Sequence, residues 1–270
     1  MKGQVSMKKL TSEEIKQYEL DILLDIQRFC EEYSLKFYLS GGTLLGAIRH
    51  HGFIPWDDDI DICMPRPDYI KFVHNYNSDK GFYIKSDILQ NWDAPCSKVL
   101  NPLTVVKSHI SENETGLWVD VFPVDGLPAD IREVEKIYKK CDFYRKLYWN
   151  GHAKLGTGNS ALHRYSKYVL KPLINIYGCA RISAKIERIA QKYAYETSDY
   201  VGTITWGIYG VGERMLKKEF VKEVNVTFEK HQFPAFSCWD SYLRGLYHDY
   251  MKLPPIEERK DHNMDVYIKV

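Results

Sequence analysis

Apolar residues recur at helical spacing near the start of the chain. Ile15, Tyr18, Ile22, Ile26, Phe29 and Tyr33 fall on one face of a helix predicted over Thr11–Ser34. Thr11 followed by Glu14 is the reciprocal pair of a capping box and marks its start. Phe37-Tyr38-Leu39 predicts a short buried strand, broken at Gly41-Gly42, with one or two helical turns from Thr43 to His50. Ile60 and Ile62 then alternate with Asp59 and Asp61. That period predicts a strand with isoleucines on one face and carboxylates on the other, ended by Pro65 and Pro67. A helix from Tyr69 to Tyr76 and strands over 81–85, 98–100 and 104–107 follow. Leu117 to Phe122 is apolar except for Asp120, and predicts a buried strand.

The run Pro123-Val124-Asp125-Gly126-Leu127-Pro128 is rich in turn residues and predicts a boundary. Beyond it the period becomes helical, over 131–149, 161–177 and 182–198, with a Gly-containing connection at 151–160. A Tyr-rich helical segment precedes Pro254-Pro255. The expected fold class is α/β (α+β), a mixed sheet flanked by helices. Residues 1–128 form a catalytic core, and a mainly helical lobe, 129–270, completes the same domain.

Composition changes this picture little, but charge distribution does. The net charge is +1, which gives no sign of a nucleic-acid partner. Between Lys139 and Arg188, however, eleven Lys and Arg face only Asp142 and Glu187, a local balance of +9. An anionic partner for that segment is expected, such as a membrane surface met by Tyr165, Tyr168, Val169, Leu170, Leu173 and Ile174. The six cysteines form no CxxC pair and read as reduced, mostly core, residues. Met1-Lys2-Gly3-Gln4 leads into no apolar signal core, and no run of 18 apolar residues exists. A cytoplasmic protein, peripheral at the inner face of the plasma membrane, is the expectation.

Asp57, Asp58, Asp59 and Asp61 place four carboxylates in five positions, an arrangement that repels itself without a cation. Strand alternation sets Asp59 and Asp61 on one face, where they can bracket one or two Mg²⁺ or Mn²⁺ ions. Asp120, alone in an apolar strand, is the natural third ligand. A calcium loop starting at Asp57 fails, because its sixth position is Ile62 instead of Gly and its twelfth is Asp68 instead of Glu. Ser40-Gly41-Gly42-Thr43, between strand and helix, suits an anion held by backbone N–H groups and two hydroxyls. Its spacing is neither that of a Walker loop nor that of a dinucleotide fingerprint. Arg49 is the cation expected at a diphosphate. Together these features outline a metal-dependent transferase acting on a nucleotide-linked donor.

Leu39-Ser40-Gly41-Gly42-Thr43-Leu44-Leu45-Gly46, Pro55-Trp56-Asp57-Asp58-Asp59-Ile60-Asp61 and Asp120-Val121-Phe122-Pro123-Val124-Asp125-Gly126 resemble the LicD family. Lys98, the run Tyr247 to Pro255 and His262 are similar to its C-terminal pattern, so the likeness spans about Leu10 to His262. The resemblance implies a nucleotidyltransferase fold of the polymerase-beta type and phosphodiester transfer from a CDP-activated donor. It implies CDP-choline as donor and a hydroxyl of a teichoic acid or lipopolysaccharide sugar as acceptor, the precursor being lipid-linked, with CMP released by a two-metal mechanism. Asp59, Asp61 and Asp120 would hold metal, Asp120 would accept the hydroxyl proton, and Lys98 or Arg49 would cover the leaving charge. Alternatives are transfer of ribitol or glycerol phosphate, a true NTP-using nucleotidyltransferase, and a non-catalytic relative. A quaternary ammonium is best held by aromatic faces. Trp56, Trp92, Trp118, Trp206 and Tyr209 are the aromatics nearest the motif and Gly-rich segments.

Overall fold

The computed structural model describes residues 6–109, 114–156, 161–259 and 264–269, so Met1–Gln4 and His262 lie outside the described residues. In chain order the elements begin with β1 (Met7–Lys9), α1 (Ser12–Glu32), β2 (Tyr38–Leu39), α2 (Gly41–His50), β3 (Asp61–Pro65) and α3 (Arg66–Asn75). Next come β4 (Tyr83–Ser86), β5 (Ser97–Leu100), β6 (Thr104–Ser108), β7 (Glu114–Thr115) and β8 (Trp118–Leu127). Then follow α4 (Ile131–His152), α5 (Ala161–Tyr177), α6 (Cys179–Ala190), β9 (Tyr200–Thr203), β10 (Met215–Leu216) and α7 (Lys217–Phe220). The hairpin β11 (Glu223–Phe228) and β12 (His231–Phe236), α8 (Trp239–Tyr247) and β13 (Met264–Lys269) complete the set. The mixed α/β class expected from the period changes is the one observed.

The central sheet runs β10-β9-β8-β3-β2, with β5 also on β8 and β4 on β5. β8 is its axis. It pairs with β3 in parallel, from Asp61 opposite Asp120 to Pro65 opposite Val124. On its other edge β5 covers Trp118 to Val121 and β9 covers Val124 to Leu127. The predicted end at Phe122 is therefore wrong, because the strand continues to Leu127. Pro123 is tolerated because it falls where β5 has ended and β9 has not begun, so no N–H is missed there. Gly126 is required two residues further on. A Cβ would come 2.7 Å from the Ala194 and Tyr193 carbonyl oxygens, which cross the strand there. β9 and β10 come from beyond residue 128 and extend the same sheet, so the later half of the chain supplies strands as well as helices.

Several predicted elements hold, and others shift. Thr11 and Glu14 form the capping box and α1 follows it. α6 starts at Cys179 and ends at Ala190, not near Ser198, because Tyr193 must turn back to bridge Gly126. A second sheet, β1-β13-β6-β7, brings the two ends of the chain together.

Charge burial departs most from expectation. Arg145, Lys167 and Lys171, three of the eleven cations of the basic segment, point inward and are buried. Fully buried Arg145 donates from Nη1 to the carbonyls of Ile204 (3.1 Å) and Thr205 (3.3 Å). Its Nη2 donates to Gly207 (3.0 Å). A guanidinium is thus spent on shaping the loop that carries Trp206. Asp125, part of the third motif, is structural too. It takes a bidentate pair of bonds from Arg66 at 2.7 and 2.6 Å, and Arg66 also meets Glu187 at 3.0 Å.

Candidate active site

Two backbone devices bring the carboxylates together. The parallel register sets Asp61 beside Asp120, and the antiparallel register sets Lys98 beside Asp120 on its other side. The Asp120 N–H donates to the Ile60 carbonyl at 2.9 Å, which locks the approach to β3. Asp59 is not on the strand as predicted, since β3 begins at Asp61 and residues 57–60 lead into it irregularly. The convergence is tighter than alternation would give. Carboxylate oxygens of Asp59, Asp61 and Asp120 lie within 4.8 Å of one another.

Gly41 and Gly42 are the first two residues of α2, which starts two residues before Thr43. Both are required. Gly41 has φ +51°, and a Cβ there would stand 3.0 Å from Asp61 Oδ2. A Cβ on Gly42 would approach Asp57 Oδ2 to 2.8 Å. The helix N-terminus therefore faces the acidic cluster at backbone distance, where a cation-bound phosphate would sit between them. The hydroxyls have structural duties. Thr43 Oγ1 accepts the Asp61 N–H at 2.8 Å, and Ser40 Oγ is 3.1 Å from the Tyr242 hydroxyl. Tyr242 also accepts the Gly41 N–H at 3.4 Å.

Lys98 Nζ sits 3.2 Å from Asp120, and Trp118 Nε1 donates to Asp120 Oδ2 at 2.6 Å. The same ammonium lies 3.7 Å from the centre of the Trp118 ring. Arg49 lies elsewhere. It donates from Nη1 to the Tyr250 carbonyl at 2.6 Å and from Nε to His50 at 2.9 Å, and it does not line the cavity described below.

The donor set suits a hard divalent cation. Glu19, which sequence patterning assigned to no role, adds a second indication. Its side chain is 1% exposed and neither oxygen has a hydrogen-bond partner. Burial, then repulsion from Asp59, Asp58, Asp57 and Asp120, holds its carboxyl well above the ordinary range. A region this crowded with carboxylates is relieved by a bound cation.

All three aspartates line a cavity of about 790 Å³. Ser40, Gly41 and Lys98 share its acidic end. Much of the remaining lining is aromatic: Trp92, Tyr148, Trp149, Trp206 and Tyr209, while Trp118 stands at the acidic end on Asp120 and Lys98. The rings of Trp149 and Trp206 meet edge to face at 5.8 Å, and Tyr209 meets Tyr247 at 5.1 Å. Four of the five aromatics singled out from sequence line this cavity, while Trp56 packs under Arg259 instead. Glu213, unmarked in the sequence, is buried in the same cavity. Burial pushes its carboxyl up to about 8, against the lowering pull of the Tyr209 N–H, Arg145 and Tyr242.

Comparison with known proteins follows the same lines. Residues 34–177 match the family described as LicD/FKTN/FKRP, nucleotidyltransferase domain. The chain is 32% identical to the lipopolysaccharide cholinephosphotransferase LicD of Haemophilus influenzae, over 97% of this chain and 100% of that protein. It is also 34% identical to an uncharacterized protein of Rickettsia prowazekii, over 23% of this chain and 26% of that one. The resemblance read from the glycine and aspartate motifs thus extends over nearly the whole chain, and the protein belongs to the LicD family.

Proposed function

We propose that the protein transfers phosphocholine from CDP-choline to a hydroxyl of a cell-envelope glycan, a lipopolysaccharide or teichoic acid sugar, and releases CMP. The observation that carries this reading is a single cavity lined both by three converging carboxylates and by a set of aromatic faces. The full-length similarity to a lipopolysaccharide cholinephosphotransferase supports the same donor class.

Asp59, Asp61 and Asp120 would hold Mg²⁺ or Mn²⁺, which supplies charge neutralisation at the transferring phosphate. The N-terminus of α2 receives diphosphate oxygens on backbone N–H groups. Lys98, bonded to Asp120 in the free protein, turns toward the leaving CMP and offsets its charge. Asp120, relieved of that bond, takes the proton of the attacking hydroxyl. The acceptor oxygen forms the new bond to the phosphorus that carries choline, and the bond from that phosphorus to CMP breaks. The choline cation rests against aromatic faces of the cavity lining.

A membrane-borne acceptor fits the outer surface. α5 turns buried Lys167 and Lys171 inward while Tyr165 (72% exposed), Tyr168, Leu173 and Ile176 (79% exposed) face out. Ile174 is buried, contrary to its predicted place on this face, and the Val169 side chain lies outside the described residues. Between α4 and α6, Lys139, Lys140, Lys185 and Arg188 line a groove with Phe143. Apolar side chains beside cations suit an anionic bilayer. Among the described residues no helix is long and apolar enough to cross a membrane.

The test is CMP release from CDP-choline, CDP-ribitol and CDP-glycerol with a cell-envelope acceptor, alongside NTP controls. Release from CDP-choline in preference to the polyol donors is expected. Pyrophosphate from an NTP, with no CMP from any donor, overturns the reading. Co-sedimentation with phosphatidylglycerol vesicles at low salt is expected, and its absence removes the bilayer.

A further inference from the structure

Outside the aspartate cluster, a second group of metal-ligand type assembles from segments far apart in sequence. Asp93 lies just before β5, His152 ends α4 and Cys179 opens α6. One donor atom from each lies within 4.8 Å of the other two. Cys179 is the one cysteine that is not buried.

The hydrogen bonds around this group match those that support a bound metal. His152 Nδ1 is 3.2 Å from the Tyr148 carbonyl, which can only accept, so Nδ1 carries a proton. That fixes Nε2 as the nitrogen with a free electron pair in neutral imidazole, the tautomer that a backbone carbonyl sets for metal ligation. Yet Nε2 stands 3.0 Å from Asp93 Oδ2, an acceptor facing an acceptor. Either a second proton or a cation must join them.

A 3.0 Å gap is filled by a proton in an imidazolium–carboxylate pair, and a metal ion can take that proton's place. Tetrahedral zinc bonds of about 2.0–2.1 Å to N and O place such ligand atoms about 3.3 Å apart. The pair is already close to that spacing. Asp93 is braced for the task, since its Oδ1 accepts the Tyr148 hydroxyl at 3.0 Å and its carbonyl accepts Ser183 Oγ. Gly151 makes room for the sulfur, because a Cβ there would come 2.6 Å from Cys179 Sγ.

We propose that Asp93, His152 and Cys179 form a zinc site in the wall of the cavity, separate from the aspartate cluster. Thiolate, imidazole and carboxylate together select a borderline-soft cation, whereas the three aspartates select a hard one. Three protein ligands leave a fourth position for water. His152 lines the cavity, which gives the ion an entry path. Bound there, zinc clamps the end of α4, the start of α6 and the segment before β5. Each of the first and last carries a cavity tryptophan close to its ligand, Trp149 three residues before His152 and Trp92 next to Asp93. This inference stands whether or not the donor is CDP-choline.

The experiment uses the full chain stripped of metal and titrated with Co²⁺, which reports thiolate ligation by a charge-transfer band. The band is expected in wild type and in Asp61→Asn, and is expected to vanish in Cys179→Ser. Zn²⁺ should displace the cobalt, and His152→Ala should weaken zinc at least about 100-fold. A second readout needs no variant. Zinc should slow alkylation of Cys179 by iodoacetamide more than about tenfold, read at its peptide by mass spectrometry. No band in wild type, an unchanged band in Cys179→Ser, or unprotected Cys179 overturns the site.

Discussion

The two ends of the cavity are built by different means. The acidic end rests on strands: Asp61, Asp120 and Lys98 stand on three neighbouring strands, and hydrogen-bond register alone fixes their spacing. The aromatic end is assembled from a loop, a long helix and a bend held open by Arg145. Register tolerates almost no error, because a slip of one residue turns a side chain to the other face. Helix and loop packing can drift by fractions of an ångström. Charge must be placed closely to act on a reacting phosphate, whereas an aromatic face holds a cation over a broader range. If the proposed function holds, the contrast assigns the chemistry to the rigid end and donor selection to the adaptable one.

The contrast is broken most severely at the rigid end. Asp61→Asn keeps the shape of the side chain and removes the charge that the cluster needs. Turnover of the activated donor should fall by about 10³-fold or more, with circular dichroism unchanged. Activity near that of wild type would show that the acidic end is not the reacting centre.

A step smaller is Lys98→Met, which leaves Asp120 with Trp118 as its remaining named donor. About 10²-fold in kcat should be lost, the scale of removing one charged donor from a transition state. A change confined to KM would instead make Lys98 a ground-state contact. Arg49 has no such part to play from its position on the Tyr250 carbonyl, and Arg49→Ala should lower the melting temperature more than kcat.

At the adaptable end the expected effect is selective. Trp206→Leu removes the ring while keeping an apolar side chain, and should raise KM for the choline donor about tenfold, in line with a cation–π contact of about 1–2 kcal/mol. KM for CDP-glycerol, which carries no cation, should hardly move. Equal losses on both donors would mean that Trp206 serves packing against Trp149 and not choline.

How much of this was legible follows from the same division. Asp59, Asp61 and Asp120 sit in short motifs on strands, where a period of two exposes which side chains share a face. Even the error over Asp59, placed on the strand but found in its approach, left the grouping intact. The aromatic wall offers no such period. Trp92, Trp149 and Trp206 lie on three segments whose meeting depends on how α4 packs; proximity to motif or Gly-rich segments singles out Trp92 and Trp206 but not Trp149, and nothing in the sequence joins the three. Arg145 and Lys167 were misread for a related reason. Charge alone gives no sign of burial, and both count toward a basic face for an anionic partner, whereas Arg145 is taken up by the loop at 204–207 and Lys167 lines the cavity. Glu19 sits in a helix whose sequence signal is its apolar stripe, and Glu213 lies in a Gly-rich turn without a motif.

Glu213 sharpens the comparison through pH, with the smallest expected effect. It lines the cavity with Tyr209 and Tyr242. Its carboxyl is raised from 4.5 to about 8, so the folded protein keeps a proton that the unfolded chain has already lost between those values. Protons then favour the folded state in that window. The contribution is fully present below about pH 4.5, declines as pH rises, and is gone above about pH 8. Glu213→Gln, neutral at every pH, should flatten this decline in denaturant titrations between pH 5 and pH 8.5 while leaving other slopes in place. Ionised Glu213 also adds a negative charge near a diphosphate, so KM for the donor should rise above pH 8 in wild type and stay level in Glu213→Gln. If both profiles keep the same slope, the carboxyl is already charged at neutral pH, and the aromatic end is more polar than its residues suggest.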